Sequence, residues 1–126
     1  MKVIGQKDSL HFVMGTNDHE QLRDVGIFYK DVSLTPVDRM AYVPQFICSM
    51  KNELEELRNR RINEDAFFLN LGPTTDDCSA RIKLVGGQAR ISFDIEGGVV
   101  FLTSLPITYL VELYEKVINN LEHKNA

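Results

Sequence analysis

The stretch Ser79–Ser104, SARIKLVGGQARISFDIEGGVVFLTS, constrains the fold of this chain more than any other. Three β-prone runs are separated there by two Gly-Gly pairs. Such a pair between alternating runs is a two-residue hairpin signal, because both central positions of a type I′ turn need positive φ. A two-residue loop at Gly86-Gly87 sets Leu84 opposite Ala89, Ile82 opposite Ile91 and Ala80 opposite Phe93 on one apolar face. Lys83 with Arg90, and Arg81 with Ser92, then take the other face. The same construction at Gly97-Gly98 puts Ile95 opposite Val100 and Phe93 opposite Leu102 on the apolar side. Asp94 would face Phe101, and Glu96 would face Val99, on the charged side. A slip of one residue would turn the apolar set toward water. Phe101 is thus expected either beneath a covering element, the commoner outcome, or exposed among carboxylates as an interface anchor. The glycines read as turns: neither a helix start nor a Lys-Ser/Thr pair follows them, as a phosphate-cradling loop requires.

The remaining segments can be arranged around this meander. Residues 9–15, SLHFVMG, alternate, with Leu10, Phe12 and Met14 on one side and His11 and Val13 on the other. Residues 25–32, VGIFYKDV, read as a second strand, ended by the Thr35-Pro36 step. A short third strand fits Asp38–Tyr42. Pro44 suits the first turn of a helix, where its missing N–H costs nothing. Phe46, Ile47, Met50, Leu54 and Leu57 follow at helical spacing, and the arginines at 58, 60 and 61 crowd the end favoured by the macrodipole. The helix is placed at about 44–61. Ala66–Leu71 reads as a strand with Phe67, Leu69 and Leu71 on one face. After the meander, Ser104-Leu105-Pro106 signals a helix start. Ile107, Leu110, Val111, Tyr114, Val117, Ile118 and Leu121 form its apolar stripe, which runs to about His123. The order ββ(β)αββββα describes an α+β domain over 1–126, an antiparallel sheet with two main helices packed against it.

Functional motifs are scarce. Asp18-His19-Glu20 groups three metal-ligand types, but adjacent residues rarely converge on one ion and no His-x₃-His pair supports them. His11 has no sequence-local acidic partner and reads as a satisfied or exposed histidine. Cys78 follows Asp76-Asp77, and two carboxylates would raise a thiol's pKa where a nucleophile needs it lowered. Glu53, Glu55 and Glu56 cannot all face one substrate from a helix. The Arg58–Arg61 cluster suits helix-end electrostatics better than phosphate binding. No cofactor, metal, catalytic set or small-molecule substrate is therefore expected. Cys48 and Cys78 lack CxxC spacing and fit free thiols in a reducing cytoplasm. No run is long enough for a membrane span, and the N-terminus has no signal-peptide core. The net charge is −4. Residues 1–63 carry 9 basic and 9 acidic groups, and residues 64–126 carry 5 and 9, so the excess lies after Arg61. That argues against direct nucleic-acid binding and for a cationic partner.

Four stretches, IGQKDSLHFVM, VGIFYKDV, YVPQFICSMKNELEEL and LPITYLVELYEKVI, together resemble immunity proteins of bacterial contact-dependent growth inhibition. The resemblance implies a cytoplasmic protein, not an enzyme, that binds the C-terminal toxin domain of a large exported protein. That toxin is often a nuclease, and inhibition is by tight non-covalent contact. An acidic inhibitor would be steered toward a basic nuclease cleft. The carboxylates Asp18, Glu20 and Asp24, Asp76 and Asp77, and Asp94 and Glu96 around Phe101 are the expected contact groups. A small acidic secretion chaperone, holding an extended effector segment, is the alternative.

Overall fold

The computed structural model describes residues 2–15, 21–36, 39–60, 66–68, 78–95 and 99–123, with the side chains of 66, 67 and 99 outside that description. Among the described residues the order is β1 (Lys2–Gly5), β2 (Leu10–Met14), β3 (Leu22–Tyr29), β4 (Val32–Ser33), β5 (Met40–Tyr42), α1 (Val43–Asn59), β6 (Ala66–Phe68), β7 (Cys78–Val85), β8 (Gln88–Ile95), β9 (Val99–Pro106) and α2 (Ile107–Glu122). The chain is α+β, as its pattern predicts. Its strands form two antiparallel sheets, one ordered β1-β2-β3-β4 with β5 also on β3, the other β6-β7-β8-β9.

Alternation sets the inner face of the first sheet. Leu10, Phe12 and Met14 of β2 are buried, as are Val25 and Ile27 of β3. The expected single strand at 25–32 is instead a hairpin. Tyr29 pairs with Val32, and Lys30 takes the left-handed conformation, φ 53°. Lys30-Asp31 is a turn, a common position for Asp, and this signal outweighs the β-prone residues around it. Strand β1 was also not anticipated. It pairs with β2 from Lys2↔Met14 to Gly5↔His11.

Helix α1 buries Val43, Phe46, Met50, Leu54 and Leu57, with Pro44 in its first turn. Arg60 ends it in the left-handed region, its N–H reaching the carbonyl of Leu57 at 3.3 Å. Helix α2 follows β9 without a loop: Pro106 is both the last strand residue and the N-cap, and the Ile107 N–H donates to the Gly87 carbonyl at 3.0 Å. The start of α2 is thereby tied to the β7–β8 turn.

The helices and both sheets share one core. Tyr114 of α2 meets Phe12 of the first sheet edge-on, centroids 6.4 Å apart, and stacks on Phe68 of the second at 5.8 Å. Its hydroxyl donates to Glu53 Oε1 on α1 at 2.6 Å. Phe68 of β6 is buried; the side chain of Phe67 and its expected partners on one face, Leu69 and Leu71, lie outside the described residues. Across the solvent side of the helix pair, Lys51 bonds Glu122 at 2.9 Å and Arg58 pairs with Glu115.

The meander follows the expected register at its first turn and departs from it at the second. Leu84↔Ala89, Ile82↔Ile91, Ala80↔Phe93 and Lys83↔Arg90 all pair as predicted. At the second turn Ile95 pairs with Val99, not Val100, so three residues connect the strands. The expectation that Phe101 shares the charged face is therefore corrected. Phe101 lies opposite Phe93 on the inner face, the rings stacked at 4.8 Å, and Tyr29 meets both rings, at 5.2 and 6.0 Å. Tyr29 also shares a 2.6 Å hydrogen bond with Thr103, joining the two sheets at this end.

Candidate protein-docking face

Pairing fixes what the outer face of β7–β9 presents. Its rows are Ser79–Asp94–Val100, Arg81–Ser92–Leu102, Lys83–Arg90–Ser104 and Val85–Gln88–Pro106. Every residue in these rows is exposed except Ser92, which is half-buried. Leu102 is 79% exposed and Val100 65%, the highest values among the exposed large apolar residues. An open groove of about 530 Å³ runs over this face, and Arg81, Lys83, Arg90, Ser92, Leu102 and Ser104 are among its walls.

The electrostatics are one-sided. Three cations stand against one carboxylate, Asp94, among the described residues of this face. Lys83 sits directly across from Arg90, a like-charge arrangement that is locally destabilising. Neither forms an ion pair with a described residue. The α1–α2 surface groove, of about 490 Å³, is different: its Lys51 and Arg58 are each matched by a glutamate from α2.

Of the seven expected contact carboxylates, Asp24 and Asp94 fall among the described residues. Asp18, Glu20, Asp76, Asp77 and Glu96 lie outside the described residues. Asp24 is engaged within the fold: Arg39 Nε donates to its Oδ1 at 2.9 Å, and both side chains are about one-third exposed. Of the two described carboxylates, Asp94 lies on the open face. Lys83 and Arg90 lie on this face as the sequence predicts, whereas Val100 and Leu102, expected on the apolar side opposite Ile95 and Phe93, are corrected to the outer face. Alternation along β7 and β8 held the signal for the two cations. The signal for the two aliphatic residues was obscured by the length of the second turn.

The other chemical candidates are occupied or undescribed. His11 is buried; its Nδ1 lies 3.0 Å from the Ser9 carbonyl, and its ring stacks on Phe28 at 5.5 Å. Asp18-His19-Glu20 lies outside the described residues, and among the described residues no group of three or more His, Cys, Asp or Glu is placed to hold a metal. Cys48 and Cys78 form no disulfide. Among the described residues no helix is long and apolar enough to cross a membrane.

No family model matches the sequence, and no curated protein matches it either. The architecture does have a match. The crystal structure of CdiI from Burkholderia dolosa AUO158 superposes with a TM-score of 0.67, covering 94% of this chain and 99% of that one, at 9% sequence identity. The fold is CdiI-like. The resemblance read from the four sequence stretches therefore holds at the level of architecture, and near-complete coverage of both chains means that sheets and helices correspond as a whole. Within this architecture the meander's outer face is an exposed sheet surface.

Proposed function

We propose that this protein is an immunity protein that neutralises a toxin domain by tight non-covalent binding. The single observation that carries the reading is the CdiI-like architecture over nearly the whole chain. An exposed sheet face on which Lys83 opposes Arg90 beside protruding aliphatic side chains supports it, since that is a surface suited to a partner rather than to a reaction. In this reading the protein is a cytoplasmic, non-enzymatic inhibitor. Its partner is the C-terminal domain of an exported protein of a contact-dependent growth inhibition system, and that domain is a nuclease. The carboxylates Asp18, Glu20, Asp24, Asp76, Asp77, Asp94 and Glu96 form one candidate contact set, suited to a cationic substrate cleft.

The test is survival. The C-terminal domain of an exported protein from the same genome is induced in a sensitive cell with and without the chain. Protection at stoichiometric expression is the expected result. A chain that binds the exported protein yet leaves the cell to die would act as a secretion chaperone instead, and the immunity reading would be lost.

A further inference from the structure

We infer that the toxin docks on the outer face of β7–β9, and that what it presents there is an acidic protein patch, not its phosphate-binding cleft. The inference rests on the immunity reading and adds to it the site and the chemistry of the contact. Lys83 and Arg90 face each other without a described counter-ion, and Arg81 occupies the neighbouring row of the same face. Two cations held side by side in water repel, whereas a partner carboxylate laid over both turns that repulsion into attraction. Beside them, the side chains of Leu102 and Val100 stand in solvent. Apolar anchors next to a charged rim make up an interface that is steered by charge and held by burial.

Charge decides among the occupants. A second copy of this chain laid face to face would set cations against cations. A nucleic acid would meet few cations on a chain of net charge −4, far from the broad basic surface such binding uses. An acidic patch on a folded toxin satisfies Lys83 and Arg90 and can bury Leu102 at the same time. A nuclease cleft must itself hold phosphate and is cationic, so the acidic patch lies outside it.

The experiment measures binding of the purified toxin domain, the C-terminal domain of an exported protein from the same genome, to immobilised wild type, to K83E/R90E, to L102S and to D76K/D77K. Circular dichroism and thermal melts confirm that each variant is folded. The charge reversal is expected to weaken binding by about tenfold or more, chiefly by slowing association, and to flatten the salt dependence of the on-rate. L102S is expected to speed dissociation by about tenfold. Binding of both variants within roughly twofold of wild type overturns the inference. So does a loss confined to D76K/D77K, which would place the toxin on the acidic loop. An RNA that binds wild type and not K83E/R90E, with toxin affinity unchanged, would assign the face to nucleic acid. Dimerisation of wild type that K83E/R90E or L102S abolishes, with toxin affinity unchanged, would assign it to a second copy. If the variants bind like wild type while wild type still protects cells, only the docking face fails. If wild type neither binds nor protects, the immunity reading fails with it.

Discussion

Tyr114 is fully buried, yet its hydroxyl is used, donating to Glu53 across the two helices. Burial, and then the adjacent Glu53 carboxylate, hold its pKa well above the ordinary tyrosine value. The fold prefers the neutral phenol. Its contribution to stability is therefore fully present below the unfolded value of about 10 and is lost as pH rises beyond it. Y114F should cost about 1–2 kcal/mol in urea titration at neutral pH and should make the alkaline loss of stability shallower. A variant that loses stability with the same alkaline slope as wild type would remove Tyr114 as the titrating group. Leu102 is the opposite case. With its side chain in solvent, L102S should change folding stability by no more than about 0.5 kcal/mol by the same measurement. A larger loss would mean that Leu102 packs within the fold, not against a partner.

At the scale of elements, the two hairpins of the meander show what a sequence can and cannot specify. Along β7 and β8 the inner set Ala80, Ile82, Leu84, Ala89, Ile91 and Phe93 is apolar, and the outer set Arg81, Lys83, Arg90 and Asp94 is charged, so only one register satisfies both strands. Strand β9 does not discriminate in this way. Val99, Phe101, Thr103 and Leu105 alternate with Val100, Leu102, Ser104 and Pro106, and both sets carry apolar side chains. Its register is settled by turn length and by contacts remote in sequence, the stacking of Phe101 on Phe93 and Tyr29 and the bond from Tyr29 to Thr103. The outer face of β7–β9 was legible in its cations and illegible in its aliphatic residues for this reason. The β1 strand was missed because KVIG is short and is completed only by its partner β2. The first turn carries a prediction of its own. Gly86 has φ 61° and Gly87 is not among the positive-φ residues, with open space around both. G86A should therefore destabilise by about 1–2 kcal/mol through backbone strain alone, and G87A by distinctly less. Equal losses in denaturant melts would contradict this turn geometry.

At the scale of the molecule, two sheets and two helices meet in one continuous core centred on Tyr114, Phe12, Phe68 and Phe93. Phe93 is completely buried on the inner face of the second sheet and bound to the first through Tyr29. F93A should cost about 3–5 kcal/mol and lower the whole melting curve, with both sheets lost in one transition. Separate transitions for the two halves would show that the sheets fold independently. A CdiI-like fold at 9% identity means that this architecture tolerates almost complete replacement of side chains. The exposed sheet face can then vary without disturbing the core. The most direct test of the central claim is to titrate this protein into the proposed partner, the C-terminal toxin domain of an exported protein from the same genome, while following that domain's turnover. The account predicts a sharp loss of turnover that is complete at one equivalent. Full turnover in the presence of excess protein would contradict it.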